Sequence, residues 1–236
     1  MKAFLLLLAT FFSLLAFSQQ DVKVKKKDRK RDIELVTTEG TIVLRLSDST
    51  PEHRDNFIRL VKSNYFDSIL FHRVISGFMI QAGDPASRRA AARQSLGNGG
   101  PDYTLPAEIT TTLFHKKGAL AAARKGDNEN PEQRSSGAQF YLVHGKTFTD
   151  AQMDSIEVAR LQGRKISPER REYYKTIGGT PQLDGNYTVF GQVVQGQEVV
   201  DKIATMEVSK GPDTNRPLQD VRILRAKLVK RNPLSP

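Results

Sequence analysis

Two apolar, β-rich runs, at 33–37 and 41–46, stand on either side of Glu39-Gly40 and predict a hairpin. Thr50-Pro51 then opens a helix, because threonine caps an N-terminus and proline suits the first helical position. Phe57, Leu60 and Val61 fall at i, i+3 and i+4 and give that helix one apolar face, and Ser63-Asn64 ends it. Further runs at 68–75, 78–82, 118–123, 139–143 and 187–194 read as strands. A short helix at 198–205 and a last strand at 220–229 close the pattern. Many strands with two core helices predict an all-β barrel or sandwich with helical lids. No internal repeat is visible, and the strand–helix alternation of a parallel α/β sheet is missing.

One stretch, about 145–180, breaks the strand pattern. Thr149 is placed to cap a helix, with Gln152 completing a capping box, and 150–162 has helical composition before Gly163. Ser167-Pro168 starts a second helix that runs to Ile177 and stops at Gly178-Gly179. The faces of this pair are mostly charged, so the segment reads as a helical insertion between neighbouring strands. It is either a solvated flap or an element that selects a substrate or partner.

The N-terminus has a different pattern. Met1-Lys2 is followed by an almost unbroken apolar run from Ala3 to Phe17, with Ala16 and Ser18 at the −3 and −1 positions before Gln19. This is the layout of a secretory signal peptide over 1–18. The run is short for a membrane span, which needs about 20 apolar residues, so no span remains after cleavage. The chain has no cysteine to carry a lipid, form a disulfide or hold zinc through thiolates. Between Lys23 and Asp32 lie seven Lys or Arg against two Asp, a net of +5, half of the chain's formal +10. No aromatic residue interleaves these charges, so base stacking has no platform and nucleic acid is not expected. Residues 19–31 read as a solvated basic tether, or as a docking arm for an acidic surface. The folded domain spans 32–231, with a tail at 232–236.

Hydrolytic equipment is missing from the sequence. The four histidines (His53, His72, His115, His144) lack the H-E-x-x-H spacing, and no G-x-S-x-G elbow is present. Gly97-Asn98-Gly99-Gly100 runs into Pro101 rather than a helix, which is unsuited to a phosphate loop. The distinctive stretch is Phe71-His72-Arg73-Val74-Ile75-Ser76-Gly77-Phe78-Met79-Ile80-Gln81-Ala82-Gly83-Asp84. It reads as strand, tight turn, strand. Met79, Gln81 and Gly83 share one face by the period of two, and Arg73 can lie beside them. Arginine, glutamine and apolar groups side by side suit a peptide-binding surface, and equally an ordinary barrel face with an exposed arginine.

That stretch resembles the signature of the cyclophilin family, F-H-R-x-I-x-x-F-M-x-Q-x-G-D, almost without a break. Three further blocks follow in the family's order. Gly118-Ala119-Leu120-Ala121-Ala122-Ala123-Arg124 resembles its G-x-L-x-M-A-N block. Ser136-Gly137-Ala138-Gln139-Phe140-Tyr141-Leu142 resembles its G-S-Q-F-F-I block. Leu183-Asp184-Gly185-Asn186-Tyr187-Thr188-Val189-Phe190-Gly191 resembles its L-D-G-x-H-x-V-F-G block. The resemblance covers about 32–230 and leaves out the signal, the basic stretch and the insertion.

The resemblance implies a closed eight-stranded antiparallel β-barrel capped by two helices, with the site in a groove on its outer surface. It implies rotation about X–Pro peptide bonds, with no bond broken and no cofactor or metal. It assigns Arg73 as the catalytic cation, with Gln81 holding the substrate backbone and Phe78 beside them. Met79, Tyr141 and Leu183 complete the proline pocket with Phe78, and Ala123, Arg124, Gln139 and Tyr187 line the adjoining groove. His72 is read as structural. The implied partners are proline-containing peptides and exported proteins during folding, and the implied state is a monomer. Export with no cysteine, Tyr187 and the long polar loop 125–138 point to a periplasmic or secreted protein. Two alternatives stay open: a proline-directed binding or chaperone module with little turnover, and a barrel carried to an acidic surface by its basic arm.

The departures bear on substrate preference. The family's groove Asn is Arg124, its pocket Phe is Tyr141, its frequent His is Tyr187, and the Trp before its L-D-G block is Gln182. That Trp is associated with cyclosporin binding, so the resemblance implies weak binding of the drug here.

Overall fold

The computed structural model describes residues 22–232. The expected signal peptide at 1–18, the first residues of the basic stretch and the end of the tail lie outside the described residues. The predicted hairpin forms as β1 (Arg31–Thr37) and β2 (Gly40–Leu46), with Ile33 opposite Leu44 and Leu35 opposite Ile42. The remaining strands of the main sheet are β3 (Arg73–Ile75), β4 (Met79–Ala82), β6 (Ala119–Ala122), β8 (Phe140–Val143), β9 (Val189–Gln195) and β10 (Ile223–Lys230). All pairs are antiparallel, in the order β10-β1-β2-β9-β6-β8-β4-β3. Two-residue strands β5 (Thr104–Leu105) and β7 (Ser135–Ser136) pair separately; both escaped the sequence pattern because they are too short to show a period.

The expected closed barrel is a curled sheet whose ladder stays open between β3 and β10. The chain before β3 crosses the start of β10 and makes three backbone bonds there: Ser68 N to Ile223 O, Phe71 N to Val221 O, and Ile223 N to Ile69 O, at 2.7–2.9 Å. Beyond that point Val74 N donates to Asn215 O at 2.8 Å. The loop carrying Asn215 therefore takes the place that β10 would need beside β3.

Period-two alternation sorts the strand side chains into two clusters. Ile80 and Ala82 of β4, Phe140 and Leu142 of β8, and Leu120 and Ala122 of β6 point into the main core. Their neighbours Met79, Tyr141, Val143, Ala119 and Ala121 form a second cluster on the outer face. Helix α1 (Pro51–Lys62) sends Phe57, Leu60 and Val61 into the main core, as its apolar spacing predicts, and α4 (Gln197–Ala204) sends Val200 and Ile203. Phe57 lies 4.8–5.4 Å, ring to ring, from Phe66, Phe140 and Phe190, which ties α1 to β8 and β9. Thr50 makes no side-chain cap on α1. The Glu108 carboxylate caps that end instead, accepting from Glu52 N at 3.1 Å and His53 N at 2.9 Å.

The predicted insertion contains α2 (Asp150–Ala159) and α3 (Pro168–Thr176), and the Thr149/Gln152 capping box is present. It carries a small core of its own, Met153, Leu161, Ile166 and Tyr174, packed against Phe114 and Phe148. Arg171 ties the two helices by reaching Asp150, Asp154 and Glu157. Glu157 also accepts from Lys165 and from Ile166 N, and these donors hold its pKa down to about 2.

The part of the basic stretch that is described, 22–31, is held against α1. Asp28 is buried and accepts from Lys62 Nζ at 2.8 Å, and Arg29 grips Asp55 through two nitrogens. Lys25, Lys26 and Lys27 remain exposed. The charge pattern had suggested a solvated tether for this stretch. Hidden in that pattern was Asp28, an acidic residue with a cation within reach on the neighbouring helix.

Candidate active site

The turn Ser76-Gly77 folds β3 back on β4 so that Arg73 stands directly opposite Gln81, and Gln81 directly opposite Tyr141 of β8. Gly77 takes the left-handed φ of 72° that such a turn needs. Its N–H donates to His144 Nδ1 at 2.8 Å. The carbonyl of Phe78 accepts from both His144 N and Gly145 N, which fixes the residue at the mouth of β4.

The Arg73 guanidinium lies along this face. Nη1 donates to Gln81 Oε1 at 3.3 Å and approaches Met79 Sδ at 3.7 Å, and its central carbon is 6.0 Å from the Phe78 ring centre. Arg73 is half-buried and has no carboxylate partner among the described residues. Burial pulls its pKa below the ordinary arginine value, with Tyr187 opposing, yet guanidinium keeps its proton in proteins. A partly desolvated cation with most of its donors unspent is the type of group found where charge is stabilised transiently.

Gln81 is held in turn. Its Nε2 donates to Gln139 Oε1 at 2.9 Å, and Gln139 Nε2 donates to the carbonyls of Gly97 and Gly99, both at 2.8 Å. Asp84 shapes that glycine loop by accepting from Gly97 N and Gly99 N. A Cβ on Gly99 would lie 2.1 Å from Asp84 Oδ1, so a larger residue there would push that carboxylate out of its place. The glycine run thus works as the brace behind Gln139. Arg73 and Gln81 also border a cleft of about 420 Å³ shared with Gly97, Asn98 and Thr214.

Beside Arg73 the outer-face cluster forms an apolar patch. Met79 and Tyr141 are its buried floor, and Phe78, Ala123, Leu183 and Tyr187 are its half-buried rim. Of the sequence-predicted site residues, Arg73, Phe78, Met79, Gln81, Gln139, Tyr141, Ala123, Leu183 and Tyr187 therefore come together on one face. Arg124 is the exception. Its side chain is 4% exposed, and its donors are committed to Asn186 O, Lys125 O and Asp127. Its guanidinium stacks 4.6 Å over the Tyr187 ring. It supports the wall of the groove instead of facing it. His72 is buried as expected of a structural residue, and desolvation lowers its pKa to about 4.

The sequence reading missed a line of buried polar groups behind the pocket. Tyr141 Oη lies 2.9 Å from His115 Nε2, and His115 Nδ1 lies 2.9 Å from Asp184 Oδ1. Asp184 Oδ1 also accepts from His115 N at 2.8 Å, and Oδ2 accepts from Tyr174 Oη at 2.7 Å. With Asp184 as acceptor, His115 Nδ1 carries the proton and Nε2 accepts from the Tyr141 hydroxyl. Burial drives the hydroxyls of Tyr141 and Tyr174 well above the usual tyrosine pKa, so both remain donors. Tyr174 belongs to α3, so this line joins the insertion to the pocket floor. The signal was present in the sequence: Tyr141 replaces an expected Phe, and a buried hydroxyl needs a partner.

The profile described as Cyclophilin type peptidyl-prolyl cis-trans isomerase/CLD matches residues 32–228. The protein named "Putative peptidyl-prolyl cis-trans isomerase" in Staphylococcus haemolyticus (strain JCSC1435) is 31% identical over 198 residues, covering 84% of this chain and 90% of that protein. The protein of the same name in Staphylococcus aureus (strain USA300) is 32% identical over 204 residues, covering 85% and 94%. A crystal structure of a Cryptosporidium parvum cyclophilin type peptidyl-prolyl cis-trans isomerase aligns with a TM-score of 0.59 at 22% identity, over 86% of this chain and 99% of that one. Another crystal structure of that parasite protein, at TM-score 0.58, was obtained in the presence of the dipeptide Ala-Pro. The structural likeness fixes the fold, and the profile and the bacterial relatives fix the membership: this chain belongs to the cyclophilin-type peptidyl-prolyl cis-trans isomerase family.

Proposed function

We propose that this chain accelerates rotation about X–Pro bonds in exported proteins and so assists their folding. The proline ring occupies the patch over Met79 and Tyr141, rimmed by Phe78, Leu183 and Tyr187. Gln81, braced by Gln139, holds the substrate backbone on one side of the bond while the other side turns. Ala123 lines the adjoining groove, and α1 and α4 are read as the two capping helices of the fold.

The chemistry follows from the amide. The X–Pro bond keeps partial double-bond character, and uncatalysed rotation takes tens to hundreds of seconds. In the twisted state resonance is lost and the prolyl nitrogen regains a lone pair. A fixed cationic donor near that nitrogen binds the twisted form more tightly than the planar ones. Each tenfold of acceleration needs about 1.36 kcal/mol of such preference. The observation that carries the reading is Arg73: half-buried, beside the apolar patch, and without an anionic partner among the described residues.

The apolar run at 3–17 supports action after export, in a periplasm or outside the cell, with the signal removed after Ser18. No helix among the described residues is long and apolar enough to cross a membrane.

Cis/trans exchange on a short Ala-Pro peptide, followed by NMR with the mature protein and with Arg73→Ala, tests the proposal. Strong acceleration by the first and a large loss in the second support it. Binding by both without acceleration by either would replace it with the proline-directed binding module.

A further inference from the structure

A second cleft, of about 480 Å³, opens beside Phe78. Its walls come from the turn Ser76-Gly77-Phe78, from Phe148 and Ile156 of the insertion, and from Gln182; Lys146 and Arg160 stand on its rim. Phe78 belongs to both this cleft and the proline patch, so the two are continuous. The hydrogen bonds from His144 N and Gly145 N to Phe78 O anchor the start of the insertion at that shared residue.

Charge separates this cleft from the rest of the insertion. Lys165, Arg170, Arg171 and Lys175 each lie within ion-pair distance of a carboxylate, and Arg164 bonds the Asn186 side chain. Lys146 and Arg160 alone among the cations of 145–180 have neither an ion pair nor a side-chain hydrogen bond among the described residues, and both are exposed. Lys146 Nζ sits 5.4 Å over the Phe148 ring, which presents its charge at the cleft mouth. Gln182 closes the end of the cleft, with its side-chain oxygen buried.

We propose that this cleft is a subsite for an acidic side chain flanking the proline, so that the insertion selects Asp- or Glu-bearing X–Pro segments as substrates. The apolar floor takes the methylenes of a Glu, and the two rim cations take its carboxylate. The proposal rests on the isomerase reading above. The cleft meets the proline patch at Phe78, so the proposed preference is for one side of the proline and not the other.

The test uses the mature protein and four short Ala-Pro peptides, carrying Glu or Lys within two residues before or after the Ala-Pro pair. At low salt, kcat/KM for Glu exceeds that for Lys by about fivefold on one side only, the size expected of exposed ion pairs. The preference shrinks as salt screens it. The double variant Lys146→Glu/Arg160→Glu loses or inverts the preference and keeps its turnover of an uncharged Ala-Pro peptide. Equal rates for Glu and Lys on both sides, or a preference that survives in the double variant, would overturn the subsite while leaving the isomerase intact. If no peptide is turned over, the isomerase reading fails, and NMR titration with the same four peptides decides the subsite by whether Glu binds more tightly than Lys.

Discussion

Replacing Tyr174 by phenylalanine should weaken both the fold and the pocket, although Tyr174 lies in the insertion and makes no contact with the proposed substrate. The perturbation removes one oxygen. That hydroxyl donates to Asp184 Oδ2 at 2.7 Å inside a region where Tyr174 is 0% and Asp184 6% exposed. The remaining charged neighbour of Oδ2 is Arg170 at 3.6 Å, too far for a good hydrogen bond. A hydrogen bond to a buried charged acceptor contributes about 1.5–3 kcal/mol, so a loss of about 2 kcal/mol is expected. In a domain of this size that lowers the melting temperature by about 4–8 °C. The loss should also travel. Asp184 sets the tautomer of His115, and His115 accepts from Tyr141, whose ring is the floor of the patch. Urea unfolding gives the stability, and exchange kinetics on the Ala-Pro peptide give kcat and KM separately. KM should rise more than kcat falls, because binding geometry is disturbed while Arg73 is untouched. The double variant Tyr141→Phe/Tyr174→Phe should cost less than the two single losses together, by about 0.5–1 kcal/mol. A stability loss below about 0.5 kcal/mol, or strict additivity in both stability and KM, would refute the idea that the line of bonds works as one unit.

Arg73→Lys keeps the charge but loses the planar fork that reaches Gln81 while facing the patch. Its kcat/KM should fall at least tenfold, about 1.4 kcal/mol of transition-state stabilisation, with an unchanged urea midpoint. Gln139→Ala removes the bonds to Gln81, Gly97 O and Gly99 O together. It should cost about 2 kcal/mol of stability and, by hydrogen exchange, loosen the amides of 97–99, whereas intact protection there would count against the brace. His72 is buried, and desolvation holds its pKa at about 4 against an ordinary 6.5. Its contribution to stability is fully present above pH 6.5. That contribution falls between 6.5 and 4 as the unfolded chain takes up a proton that the folded chain refuses, and is gone below about 4, a total of about 3 kcal/mol. The urea midpoint of His72→Phe, followed from pH 7 to 4, should lack that part of the slope, and parallel profiles for the two proteins would contradict the burial argument.

What the sequence could and could not disclose follows from how far each contact reaches along the chain. Arg73 and Gln81 are eight positions apart around a two-residue turn, so the period of two was enough to set them on one face, and they do pair. The helix at Pro51, the capping box at Thr149 and the alternation along β4 and β8 are local in the same way. The misread features depend on long-range partners. Thr50 was expected to cap α1, but Glu108 arrives from 56 residues away. The barrel was expected to close, but Asn215 occupies the amide of Val74 beside β3. Arg124 was placed in the groove by its position in a motif, yet Asp127 and the carbonyl of Asn186 take its charge.

The polar line from Tyr141 through His115 and Asp184 to Tyr174 joins β8, a loop, the L-D-G turn and α3, and no window of sequence contains two of its bonds. Even so, one member was marked from the start. A tyrosine where the family places a phenylalanine brings a hydroxyl into a buried position, and a buried hydroxyl without a partner costs roughly 1–3 kcal/mol. The chain therefore had to supply an acceptor for it. His115 is that acceptor, Asp184 orients His115, and Tyr174 completes the set from the helical insertion. The substitution in the pocket and the helical insertion thus belong to a single structural departure. Changing Tyr141 back to phenylalanine leaves His115 Nε2 buried and unpaired, so the reversion is expected to destabilise this chain although it restores the family's residue.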